Sequence, residues 1–180
     1  MASIEREREN SLIEEILAGR REKFALLVEA YKIPIFNLAL RMTGNVEEAY
    51  DLSQDTFLKA YKNLGKYRRE KPFFTYLYTI ALNTIRNARK REKVRHRGEE
   101  AVSKEGQASD PEQDLLKKEE KKKLQIALLS LPEEDRACVI LKFYQGLTFE
   151  EIADIFGMSL SAVKMRTYRA LKRLKERVEE

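Results

Sequence analysis

The sequence predicts an all-α protein made of two small helical domains joined by a flexible linker. Three observations predict it. Only 7 Gly and 4 Pro punctuate 180 residues, while the strong helix formers Leu, Ala, Glu, Lys and Arg dominate. Apolar residues recur at three- and four-residue steps in both halves, and no alternating run of Val, Ile and Thr suggests a strand. Between about Lys93 and Leu115 that periodicity vanishes among charges, with Gly98, Ser103, Gly106, Ser109 and Asp110-Pro111 interspersed, the composition of a linker. We therefore place a first domain at 1–94, a linker at 95–118 and a second domain at 119–180. Because 36% of residues are charged, each core must be thin, which small helical units tolerate.

The first domain begins with Ile13, Ile16 and Leu17, then Phe24, Leu27 and Val28, then Ile35, Leu38, Ala39 and Met42, all at helical spacing. Thr43-Gly44-Asn45 stops one helix and caps the next, and Glu48, three residues after Asn45, supports the cap. The next helix is predicted from Val46 to Leu64. Ala49, Leu52, Ser53, Thr56, Phe57 and Ala60 form its core stripe. Asp51, Gln54, Asp55, Leu58 and Lys62 fall on the opposite face, which reads as solvated surface or as a site for a partner helix bearing Arg and apolar groups. A basic loop follows from Gly65 to Pro72. The stretch from Phe73 then mixes aromatics, amides and a basic end at Arg89-Lys90-Arg91, a combination suited to tracking a nucleic-acid strand.

In the second domain periodicity returns with Leu124, Ala127, Leu128 and Leu131, and restarts after Pro132 with Ala137, Ile140, Leu141 and Tyr144. The segment from Thr148 is a helix-turn-helix. Thr148 and Glu151 form a capping box, and Phe149, Ile152, Ala153 and Phe156 make one stripe. Gly157 permits a left-handed turn, and Ser159 caps the second helix. There Val163, Thr167, Ala170, Leu171 and Leu174 face inward. Ser161, Lys164, Met165, Tyr168 and Lys172 face outward, flanked by Arg166, Arg169 and Arg173, as a major-groove reader requires.

Charge supports nucleic acid as a partner: the net +5 is modest, but the basic residues cluster. No stretch approaches the roughly 18 to 20 apolar residues of a membrane span, and Met1 to Glu9 is charged where a signal peptide is apolar, so a cytoplasmic protein without membrane insertion is expected. Cys138 has no partner for an internal disulfide and reads as a packed thiol. His96 is the only histidine, and neither a phosphate-binding Gly loop nor a metal-ligand spacing occurs. No catalytic residue, metal or cofactor is predicted, and the chain is not expected to be an enzyme.

The run Asp-Leu-Ser-Gln-Asp-Thr-Phe-Leu-Lys-Ala-Tyr from Asp51 to Tyr61, the aromatic stretch from Phe73 and the terminal helix-turn-helix, in that order, resemble the extracytoplasmic-function group of the sigma-70 family. The resemblance covers nearly the whole chain. It implies that Asp51, Gln54, Asp55 and Leu58 bind the beta-prime clamp helices of core RNA polymerase. It implies that the loop from Asn63 to Pro72, with Lys66, Tyr67, Arg68, Arg69 and Lys71, receives a flipped base of the minus-ten element. Asn83 would read the paired upstream part of that element, with Arg86, Arg89, Lys90 and Arg91 on phosphates. Lys164, Met165 and Tyr168 would read the minus-thirty-five element, supported by Ser159, Ser161, Arg166, Arg169, Lys172 and Arg173. Implied partners are core polymerase, including its beta flap, promoter DNA and an anti-sigma factor, for a chain monomeric when free.

Tyr76 stands where this group usually has Trp and is expected to pack in the core. Thr79 and Ile80 stand where housekeeping sigma factors carry melting aromatics, implying weaker strand opening and strict promoter choice. Linker residues Glu99, Glu100, Glu105, Asp110, Glu112 and Asp114 would either mimic nucleic acid or lie in ordinary disorder. The competing readings are a dimeric helix-turn-helix repressor or activator with an N-terminal sensing domain, and third a nucleotide-processing enzyme fused to a DNA reader.

Overall fold

In the computed structural model, residues 6–95 and 115–179 are described; His96 and the linker acids lie outside them. All regular structure among the described residues is helical. Helix α1 (Arg6–Leu17) buries Leu12, Ile13 and Ile16, but Leu17, the last residue before the turn at Gly19, is exposed. Helix α2 (Phe24–Thr43) turns Phe24, Leu27, Tyr31, Ile35, Leu38, Ala39 and Met42 inward and runs unbroken through Pro34. It ends where Gly44, at φ 77°, sends its N–H to the Leu40 carbonyl, the left-handed closure that favours glycine. Asn45 then accepts from the Glu48 N–H at 3.0 Å, as the spacing predicts.

Helix α3 (Val46–Lys62) buries the predicted stripe Ala49, Leu52, Ser53, Thr56, Phe57 and Ala60. It stops two residues before the predicted end, because the Asn63 amide turns back onto the Lys59 carbonyl and Leu64–Lys66 tightens into a 3-10 turn. Helix α4 (Phe73–Arg95) follows. In the second half come α5 (Leu115–Ser130) and α6 (Glu133–Val139), then a π-helical turn over Ile140–Tyr144, whose Gln145 N–H reaches back to the Ile140 carbonyl at 3.0 Å. Helices α7 (Phe149–Phe156) and α8 (Leu160–Glu179) complete the chain.

The two halves pack on each other. One apolar cluster runs from Leu12, Leu27, Leu38 and Phe73 through Ala137, Cys138, Ile140 and Leu141 to Ile152 and Ile155; a smaller one joins α5, α6 and α8 through Leu128, Leu131, Ala170 and Leu174. Ile155, outside the predicted stripe of α7, is buried because that helix packs on two sides, against α8 and against α4.

Polar groups tie the halves together at defined points. The buried Tyr78 hydroxyl donates to Gln145 Oε1 at 2.9 Å, and Gln145 Nε2 donates to the Pro34 carbonyl at 3.2 Å. The end of α2 carries orphan carbonyls and the negative end of the helix dipole. Three side chains answer them: Arg89 and Arg136 both donate to the Met42 carbonyl, at 2.6 and 2.5 Å, and Gln125 to the Arg41 carbonyl at 3.2 Å. Burial lowers the Arg136 pKa to about 10, which leaves it a cation at neutral pH.

Candidate nucleic-acid interface

Helix α3 presents the first face. Because its other side is fully committed to the core, Asp51, Gln54, Asp55 and Leu58 are left outward and exposed. Asp55 has only a loose pairing with Lys59, at 3.8 Å, which costs little to exchange. Beside Leu58 a shallow apolar groove is lined by Phe24, Ala25, Val28, Phe57 and Tyr61, with Arg21 and Gln54 on its rim. Phe24 and Tyr61 meet edge to face at 5.0 Å. Sequence reasoning singles out the α3 side of this face, with exposed Leu58 as its signal, and says nothing of the α2 side.

The loop from Asn63 to Pro72 is braced. Tyr67 packs edge-on against Phe73 and Tyr76, at 5.6 and 5.7 Å, and its hydroxyl lies 3.0 Å from Asn10 Oδ1 and 2.8 Å from the Lys71 carbonyl. Arg69 pairs with Glu14 on α1, and Lys71 pairs with Asp154 on α7 at 2.9 Å. Lys66 and Arg68 are exposed and form no ion pair among the described residues. Tyr76 is half-buried against the core, as expected, with its hydroxyl on the Ala60 carbonyl.

Helix α4 leaves Asn83, Lys90 and Arg91 exposed. Arg86 is exposed too, but lies 4.0 Å from Glu133 and 3.6 Å from Glu134 of α6. Arg89 turns inward to Met42. Thr79 donates to the Thr75 carbonyl at 2.7 Å and lies 3.2 Å from the Ile155 carbonyl on α7.

The helix-turn-helix has the predicted parts. Thr148 and Glu151 form the capping box, and Gly157 at φ 63° closes α7. Ser159 Oγ accepts from the Ala162 N–H at 3.2 Å and lies 3.2 Å from Ser161 Oγ. Val163, Thr167, Ala170 and Leu174 are buried, so Ser161, Lys164, Met165, Tyr168, Arg169 and Lys172 point to solvent. The two other arginines behave differently. Arg166 binds Asp135 at 3.1 Å and Glu134 at 2.9 Å, and Arg173 binds Asp135 at 3.1 Å. Asp135 is buried at 6% exposure, so these arginines brace α8 on α6.

Sequence reasoning placed Phe149 on the inward stripe of α7 and passed over Lys142. The Phe149 ring carries Lys142 Nζ at 4.7 Å and Lys164 Nζ at 5.9 Å, and the Tyr168 ring at 6.1 Å. Cys138 is fully buried, and burial pushes its thiol up to about 11, the packed thiol the sequence predicts. No group of His, Cys, Asp or Glu among the described residues is placed to hold a metal, and no described helix is long and apolar enough to cross a membrane.

Comparison with known proteins matches both halves. The family described as Sigma-70 region 2 matches residues 27–95, and Sigma-70, region 4 matches residues 121–174. The chain is 32% identical to the RNA polymerase sigma-H factor of Pseudomonas aeruginosa, over 91% of this chain and 90% of that one. It is 32% identical to the ECF RNA polymerase sigma factor SigW of Bacillus subtilis, over 93% and 95% respectively. In fold it is similar to the sigma factor RpoE solved in complex with the anti-sigma factor NepR from Bartonella quintana, with a TM-score of 0.73 at 24% identity, covering 88% of this chain and 98% of that one.

Proposed function

Because the chain belongs to the sigma-70 family, in its extracytoplasmic-function group, it directs promoter-specific transcription initiation, and we propose how its surfaces divide that work. Residues 1–94 bind core polymerase and the minus-ten element, residues 119–180 bind the minus-thirty-five element, and 95–118 link them. The chain acts in the cytoplasm by binding, as a monomer when free, and catalyses no reaction of its own. Its partners are core polymerase, promoter DNA and an anti-sigma factor.

The observation that carries this reading is the face of α3, where Asp51, Gln54, Asp55 and Leu58 stand exposed beside an apolar groove. Acid, amide and leucine in one patch suit clamp helices that offer arginine and apolar side chains. Lys66, Arg68, Asn83, Lys90 and Arg91 serve the downstream element; Lys164, Met165 and Tyr168 read the upstream one, with Arg169 and Lys172 beside them.

The reading includes an opening step. Arg86 faces Glu133 and Glu134, Lys71 holds Asp154, and Thr79 meets α7. Surface pairs of this kind contribute about 0 to 1 kcal/mol each, so promoter phosphates can replace the carboxylates once polymerase separates α7 from α4. The buried Tyr78–Gln145–Pro34 chain is the costlier contact to break.

The test is a competition pull-down with core polymerase. Replacing Gln54 with Ala and Asp55 with Lys together should weaken binding by about 2 kcal/mol or more, as when one side of an interfacial polar pair is lost, while the fold survives. Equal competition by the double variant would show that the polymerase face lies elsewhere.

A further inference from the structure

We propose that helix α1 shapes the pocket that takes the flipped minus-ten base, holding the loop from Asn63 to Pro72 through Arg6, Asn10 and Glu14 without touching DNA. The inference rests on reading that loop as the receiver of the base. The three residues stand four positions apart and so run along one face of α1. Each meets a different part of the loop. Arg6 donates to the Arg69 carbonyl at 3.0 Å and to the Glu70 carbonyl, Asn10 meets the Tyr67 hydroxyl at 3.0 Å, and Glu14 pairs with Arg69. Between them on the helix, Glu9 accepts the Phe73 N–H, just past the end of the loop.

The loop has little to hold its shape by itself. Near its start the Lys66 and Tyr67 N–H groups reach the Asn63 and Leu64 carbonyls at 2.8 and 3.0 Å. From Arg68 to Lys71 the backbone makes one bond of its own among the described residues, from the Lys71 N–H to the Arg68 carbonyl at 3.2 Å. All four of these residues are exposed, so no core packing fixes them. Arg6 supplies what is missing. A guanidinium that bridges two successive carbonyls sets the peptide planes on either side of Glu70, and with them the course of the chain there.

Asn10 acts through Tyr67. The Tyr67 hydroxyl lies 3.0 Å from Asn10 Oδ1 and 2.8 Å from the Lys71 carbonyl, two acceptors for one proton. With the Asn10 amide turned over, its NH2 donates to the phenol oxygen and the phenol donates to Lys71, so every group is satisfied. Because the Tyr67 ring is packed on Phe73 and Tyr76, Asn10 ties the far end of the loop to a fixed point of the core. The Glu14–Arg69 pair is exposed on both sides and contributes least. A loop already ordered in the free protein incurs no ordering cost when the base arrives. It also presents one pocket shape, whereas a loop that samples several accepts more than one base. Arg6 and Asn10 are thus positioning residues for base choice.

Two measurements on the full-length chain test this. Limited digestion of the free chain with trypsin reads the loop directly: Arg6→Met combined with Asn10→Ala should speed cleavage after Arg68 and Arg69 about tenfold, as expected when a local opening becomes easier. Arg6→Met alone, at the exposed start of α1, should leave the melting temperature unchanged, and Arg6→Lys, which keeps a donor for the carbonyls, should be cut like the wild type. Binding of the chain assembled with core polymerase to single-base promoter variants gives the second readout. The double variant should lose about tenfold in discrimination at one position of the minus-ten element, the cost of ordering one or two loop residues, with upstream preference and core binding unchanged. Lys66→Ala with Arg68→Ala alters the loop while leaving α1 intact. If it weakens minus-ten binding while the α1 variants change neither cleavage nor discrimination, the role of α1 is overturned and the reading of the loop stands. Faster cleavage with unchanged discrimination would make α1 a brace only and would equally overturn the proposal. Undiminished minus-ten binding by the Lys66, Arg68 variant would remove the reading of the loop and the proposal with it.

Discussion

Glu9 is buried at 3% exposure, with the Tyr31 hydroxyl donating to it. Burial raises its pKa, outweighing the opposing pull of that hydroxyl and of a backbone bond from Phe73. A carboxyl whose folded pKa lies above its unfolded value ionises first in the unfolded chain, so stability falls as pH rises from about 4.5 through the folded value. Glu9→Gln keeps an acceptor for Tyr31 and removes the charge; the expected result is a melting temperature that declines less over this range, followed by circular dichroism. On α8 the side chains divide by direction. Lys164 lies on the outward stripe and Arg169 beside it. Lys164→Ala should change which upstream element is preferred, each good base contact contributing about 1 to 3 kcal/mol, whereas Arg169→Ala should lower binding to every duplex and reduce the salt slope by about one unit. Binding titrations on single-base variants separate the two, and the opposite pattern would reverse the assignment.

At the scale of elements, two glycines that close helices have different neighbours. A Cβ on Gly157 would meet nothing within 4 Å, whereas one on Gly44 would lie 2.7 Å from Leu129 Cδ1 on α5. Both positions have positive φ, so alanine is strained at each, by about 1 kcal/mol. Gly44→Ala should cost more than Gly157→Ala, because the Leu129 side chain must also shift to make room; thermal denaturation of the two variants checks the order. Asn45, Thr148, Gly157 and Ser159 were legible as caps because capping is settled within four residues, and the buried stripe of α3 was legible because helical spacing alone selects it. What local pattern could not show was the fate of Arg89, Arg166 and Arg173. Their partners Met42, Glu134 and Asp135 lie more than thirty positions away, and a basic helix face looks the same whether its cations meet phosphate or carboxylate. Lys142 stayed hidden for a related reason, since the π turn over Ile140–Tyr144 breaks the periodicity that the reading relies on.

At the scale of the molecule, the sequence marks two helical units and their order along the chain, and the family matches at 27–95 and 121–174 fall on them. It does not reveal that they share a core. Ile155, Gln145 and Tyr78 each look ordinary in the sequence and acquire a role only when α4 meets α7 and the turn that precedes it. That closed packing takes up Arg86, Lys71 and Thr79, while the α3 face and the outward stripe of α8 stay exposed. On the proposed division of surfaces, polymerase has a surface to grip before DNA is engaged, and promoter selection depends on the complex. Run-off transcription from a pool of promoter fragments, using core polymerase with and without the purified chain, tests this most directly. Transcripts should start only from fragments sharing an upstream and a downstream element, and should vanish with the Gln54→Ala, Asp55→Lys variant. Transcription no different from that of core polymerase alone, or undiminished activity of the variant, would contradict it.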